Sequence, residues 1–175
     1  MWRFRGAPHC GFEIPPLSFK PLSTLTSCPM ADRPQYWTPE FIEAFVEAMN
    51  DDDSFQRAAG SFSNTIIFRC LDHPTGQDIE AAYTFDDGEV TDVELWMEDA
   101  GDPDFRDDPF DKSAALARAT APYDTWVKLD RGEMTPLGAL TSPSYQIEGP
   151  KLKIMANMGV LNGMGEVASR IDKTY

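Results

Sequence analysis

From Thr38 onward the apolar residues follow two spacings in turn, and the changes between them divide the chain into elements. Phe41, Ile42, Phe45, Val46 and Met49 recur every three or four positions, the spacing of one apolar stripe on an α-helix. Thr38 stands at the N-cap, Pro39 at the first helical position and Glu40 in the first turn, so the helix has a defined start. Asp51-Asp52-Asp53-Ser54 can cap a second, short helix carrying Phe55 and Ala58-Ala59 towards Gly60.

The spacing then shortens to two. Residues 64–71 (NTIIFRCL) are β-branched and aromatic, and Ile79, Ala81, Tyr83 and Phe85 alternate onto one face of a strand. Asp87-Gly88 is a hairpin turn signal, and residues 90–96 continue with Val93, Leu95 and Met97 on one face. Residues 98–112 are acidic, carry Pro103 and Pro109, and read as a solvated surface loop. A fourth strand is expected over 114–120 and a helix over 124–131, stopped by Gly132. A short helix should run from Thr135-Pro136 to Leu140, an extended stretch over 145–154, and a last helix with three glycines over 157–171. The prediction is an α/β (α+β) domain, a helix followed by antiparallel strands and then mixed elements.

Residues 1–29 share none of these periods. They contain Pro8, Pro15, Pro16, Pro21 and Pro29, three basic residues and the single acid Glu13. Three readings stand: an upstream stretch from too early a start codon, with Met30 as the natural start; a disordered tail; or a lipoprotein signal, since Leu25-Thr26-Ser27-Cys28 resembles a lipobox. The third needs a continuous apolar stretch that Pro15, Pro16, Lys20 and Pro21 interrupt. The folded domain is therefore expected over 30–175.

At 175 residues and 42% hydrophobic content the chain suits one domain with a sizeable core. Its net charge of −14 disfavours nucleic acid and anionic lipid surfaces as partners, and no stretch is long and apolar enough for stable membrane insertion. The acids are mostly Asp, and Lys numbers only six, a balance found in proteins of salt-loving microbes; an ordinary acidic cytoplasmic protein is the other reading. Cys10, Cys28 and Cys70 form no paired framework, which points to reduced thiols and a cytoplasmic location.

Candidate chemistry is sparse. The only histidine after residue 30 is His73, inside Asp72-His73-Pro74-Thr75-Gly76, and it reads as an exposed turn residue rather than a catalytic or metal-binding one. The aspartates of 99–111 lack the spacing and terminal Glu of a calcium loop, so no metal is expected. Gly163-Met164-Gly165-Glu166-Val167-Ala168 matches G-x-G-x-x-A but lacks the following strand and acid of a dinucleotide site, and no cofactor is expected. What stands out is apolar: Met155, Met158, Met164, Val160 and Leu161, interleaved with Gly159, Gly163 and Gly165. Methionine adapts to varied apolar partners, so the segment reads either as a lid over an apolar cavity or as an imperfect core helix.

Two stretches resemble the sterol carrier protein type-2 family. Residues 123–136 (YDTWVKLDRGEMTP) are similar to its aromatic-bearing helix ending in Lys-Leu-x-x-Gly and followed by Pro, and residues 148–158 (EGPKLKIMANM) to its Gly-Lys-Leu-Lys-Ile strand leading into a C-terminal helix. The resemblance implies a five-stranded, largely antiparallel sheet covered by helices, enclosing an apolar tunnel for sterols, fatty acyl chains, isoprenoids or quinones. By motif position Trp126, Leu129, Leu137, Leu140, Ile154, Met158 and Leu161 would face the tunnel. Pro150 and Ala156 depart from the pattern, and the C-terminus lacks the Ser-Lys-Leu address. The implied function is lipid binding or carriage without catalysis. The alternative is an accessory domain that presents a lipid to a biosynthetic enzyme partner; an independent enzyme is the third reading.

Overall fold

The computed structural model describes residues 33–175; residues 1–29, Met30, Cys10 and Cys28, with the readings attached to them, lie outside it. Helix α1 (Pro39–Asp51) starts where Thr38 Oγ1 accepts from the Phe41 amide, and its Phe41, Ile42, Phe45 and Met49 are buried. Asp52 caps α2 (Asp53–Ala59) through the amides of Ser54 and Phe55.

Three antiparallel strands follow: β1 (Thr65–His73), β2 (Gln77–Asp86) and β3 (Glu89–Asp99). Asp87 and Gly88 both have positive φ, as the tight turn between β2 and β3 requires. After α3 (Pro103–Arg106), β4 (Ala117–Pro122) pairs in parallel with β1, and β5 (Gln146–Glu148) closes the edge. The order is β3-β2-β1-β4-β5. Helices α4 (Tyr123–Asp130), α5 (Pro136–Leu140), α6 (Lys151–Ala156) and α7 (Met158–Arg170) complete an α+β domain.

The two faces of the sheet differ. Ile66, Phe68, Cys70, Ile79, Ala81, Tyr83, Val93 and Leu95 face the helices and form the core. On the other face lie Arg69, Asp78, Glu80 and Arg118, all buried. The segment around α3 covers that face, which corrects the expectation of a merely solvated loop. Arg106 Nε donates to Asp78 Oδ2 at 2.6 Å, Arg69 donates to the Phe105 carbonyl at 2.7 Å, and its guanidinium lies 4.6 Å from the Phe105 ring centroid. Charges placed on a sheet face must find partners when covered, and the acidic segment supplies them.

Three further expectations change. The extended stretch over 145–154 is a strand only at Gln146–Glu148; Lys-Leu-Lys-Ile is the start of helix α6. Gly149, at φ +132, presses against Leu116 O, where a Cβ would approach to 2.4 Å, and Pro150 cannot continue a strand ladder. His73 is not an exposed turn residue: it ends β1 with 3% of its surface exposed. Its Nε2 lies 2.9 Å from Tyr36 O and its Nδ1 2.8 Å from Thr75 Oγ1. The glycines of α7 do not all argue for a lid. Gly159 and Gly163 face α2, where added Cβ atoms would lie 3.9 Å from Ala58 O and 2.9 Å from Phe55 Cδ2.

Candidate functional site

Between the helical face of the sheet and α1, α4, α5 and α7 lies an apolar cavity of about 650 Å³. Its floor is Phe68 and Tyr83 of β1 and β2, whose rings stand 5.9 Å apart. Phe41, Ile42 and Phe45 of α1 form one wall. The described residues form a cavity; a through-going tunnel is not shown.

Of the seven residues expected there, six line it: Trp126, Leu129, Leu137, Leu140, Met158 and Leu161. Trp126 is fixed by its Nε1, which donates to Arg69 O at 3.1 Å, and its ring packs against Trp37, Phe68 and Tyr145. Leu137 and Leu140 line the cavity while remaining 74% and 42% exposed, so α5 stands at its mouth. Ile154 is the exception. It is buried against the Gly149 turn, outside the cavity lining, because α6 is a helix whose single buried position points into the core.

Residues 134–165, which supply α5, β5, α6 and the first part of α7, contain one acid, Glu148, in a chain with 29. Glu148 is paired with Arg118 at 2.8 Å. Glu166, the next residue of α7, is exposed and also lines the cavity.

The sequence reading missed the polar end of the cavity. Asp130, one turn after Trp126 on α4, lines it together with Tyr36 and Trp37. Asp130 and Lys173 form a buried ion pair at 2.9 Å between Nζ and Oδ2, and Tyr175 OH donates to the same oxygen. Asp130 Oδ1 and Trp37 Nε1 are buried without a hydrogen-bond partner. Leaving such a group unpaired costs about 1–3 kcal/mol. The Tyr36 phenol is held well above its ordinary pKa, first by burial and then by the Asp130 charge.

Familiar catalytic groups are differently placed. Burial lowers the pKa of His73, opposed by its bond to the Tyr36 carbonyl, and its ring is engaged at both nitrogens. The Cys70 thiol is fully buried and pushed up by burial and by Asp78 and Asp72, which makes it a poor nucleophile. Among the described residues no group of three or more His, Cys, Asp or Glu is arranged to hold a metal ion. No described helix is long and apolar enough to cross a membrane.

This α+β fold matches that of sterol carrier protein 2. A crystal structure of sterol carrier protein 2 superposes with a TM-score of 0.63 at 14% identity, covering 78% of this chain and 99% of that one. The solution structure of a conserved protein of Thermus thermophilus, whose name ties it to sterol carrier protein, gives 0.61 at 13% identity, over 82% and 94% of the two chains. Neither a family model nor a curated protein matches the sequence. At these identities the likeness is one of fold.

Proposed function

We propose that this protein binds and carries an apolar lipid in the cavity between α1, α4, α5, α7 and the sheet. One observation carries the reading: a cavity of about 650 Å³, walled by aromatic and aliphatic side chains, opening at the exposed Leu137 and Leu140. Sites for small apolar ligands have volumes of about 300–1,000 Å³ and such walls. Trp126, Leu129, Leu137, Leu140, Met158 and Leu161 make the apolar contacts. No catalytic step belongs to this reading, because His73 and Cys70 are held in structural positions. The fold likeness to sterol carrier protein 2 supports it.

The test is to purify the full chain from a native-like host, extract it, and identify bound molecules by mass spectrometry. Displacement of a fluorescent fatty-acyl probe from the delipidated protein follows. A stoichiometric apolar molecule, displaced competitively, is the expected result. A protein that carries nothing and admits no apolar probe would refute the reading.

A further inference from the structure

Sulfur is unevenly placed in this domain. Four of the chain's 8 methionines fall between residues 134 and 164, and Met134, Met158 and Met164 among them line the cavity. Their exposure is graded. Met164 is fully buried, Met134 and Met158 are half-buried at the cavity wall, and Met155, outside the lining, is 71% exposed. Met134 packs beside α5, the helix at the mouth: a Cβ added at Gly138 would lie 3.9 Å from Met134 Cγ. Met158 opens α7.

The cysteine among the described residues is closed off. Cys70 is 0% exposed in the core, and burial, with the Asp78 and Asp72 charges, holds its thiol protonated. A cysteine reacts with peroxide as its thiolate, so an oxidant reaching the cavity meets thioethers instead.

A thioether is apolar and adaptable, whereas its sulfoxide carries a strong acceptor oxygen. At a half-buried position in the empty cavity, water can solvate that oxygen. A bound apolar chain strips the water away, and Leu137, Leu140, Ile147 and Leu161 of the lining have no side-chain donor to replace it.

Resting on the carrier reading, we infer that Met134 and Met158 form an oxidative modification site through which peroxide releases the apolar ligand. The thioether sulfur attacks one oxygen of hydrogen peroxide. An S–O bond forms, the O–O bond breaks, and the departing hydroxide takes the proton of the transferred hydroxyl and leaves as water. Sulfur gives up two electrons and the peroxide accepts them. Each sulfoxide should weaken binding about tenfold, the value of burying one polar group without a partner. A bound chain in turn covers both sulfurs and should slow their oxidation.

The test uses the full, delipidated protein, hydrogen peroxide, a fluorescent fatty-acyl probe, and peptide mass mapping of every methionine. Oxygen is expected on Met134, Met155 and Met158, while Met49 and Met164, both fully buried, are spared. Probe affinity should fall about tenfold or more with the circular dichroism spectrum retained, and should recover with methionine sulfoxide reductase. Probe loaded to saturation beforehand should protect Met134 and Met158 but not Met155. Within each variant the readout is affinity before against affinity after peroxide. Met134→Leu/Met158→Leu should show no further loss, whatever its starting affinity, and Met155→Leu should lose as much as the wild type. The inference is overturned if affinity survives oxidation of both sulfurs, if the double variant loses as much as the wild type, or if only Met155 takes up oxygen. It is equally overturned if loaded probe protects neither sulfur, or if the loss accompanies unfolding. Those outcomes leave the carrier reading standing. A reduced protein that admits no probe would instead refute the carrier reading, and this inference would fall with it.

Discussion

Two glycines two residues apart on α7 should respond to the same substitution with opposite signs. A Gly→Ala change inside a helix gains about 1 kcal/mol from backbone propensity wherever the methyl has room. At Gly165, which lies on the cavity wall, an added Cβ meets nothing within 4 Å, so Gly165→Ala should stabilise the domain by about 1 kcal/mol. At Gly163 the same Cβ would stand 2.9 Å from Phe55 Cδ2. Phe55 is 1% exposed and its ring abuts that of Phe85, so it cannot swing aside cheaply. Overpacking of this kind costs about 1–3 kcal/mol, which cancels or exceeds the helical gain. The two variants should therefore differ by about 1–3 kcal/mol, with Gly165→Ala the more stable. Urea unfolding followed by circular dichroism measures this, provided the m-values agree. Phe55→Leu placed on Gly163→Ala should recover part of the loss, a coupling that a double-mutant cycle isolates. Equal stability of the two alanine variants would refute the packing argument.

Other consequences follow from single residues. Since the folded pKa of His73 is depressed, the unfolded chain takes up the proton first, and stability should fall as pH drops below about 6.5; the slope should be shallower in His73→Gln, and equal slopes would show that His73 is not the group responsible. Asp78 is fully buried and accepts from Arg106 and from the amides of Asp72 and Gly101, so Asp78→Ala should cost about 3 kcal/mol, the value of breaking a buried pair. Faster proteolysis between residues 99 and 112 should accompany that loss. Leu161→Trp should reduce probe binding by about tenfold or more by filling the cavity, with the fold retained. Ile154→Ala should do the reverse, losing about 3 kcal/mol of stability with probe affinity unchanged, because Ile154 lies outside the lining. A matched loss of binding in both variants would show that binding follows stability rather than the cavity wall.

Local signals carried the hairpin and the long helices, because the Thr38 cap, the α1 stripe and Asp87-Gly88 act within a few residues. The features that were not legible depend on distant partners. Lys-Leu-Lys-Ile alternates like a strand, yet Gly149 turns the chain against Leu116 and α6 begins, leaving Leu152 85% exposed. The turn chemistry around His73 was correct for residues 74–76, but the ring folds under Tyr36, 37 residues earlier, and no local pattern announces that. The apolar part of the cavity was readable from the motif positions of Trp126, Leu129, Met158 and Leu161. Its polar end was not, since Trp37, Asp130 and Lys173 lie far apart in sequence and meet only when the C-terminal segment returns beside α1; Tyr36 N donates to Thr174 O at 2.8 Å.

The distribution of charge explains how one small domain holds both a highly acidic surface and an apolar cavity. On one sheet face, Arg69 and Arg118 hold Asp108 of the acidic segment, and Arg106 of that segment pairs with the buried Asp78 of β2. On the other face the strands present apolar side chains to the helices, and the mouth is built from the acid-poor residues 134–165. One exposed carboxylate, Glu166, stands on the cavity lining, and covering it would cost several kcal/mol by desolvation. The buried carboxylate Asp130 is compensated by Lys173 and Tyr175 on one oxygen.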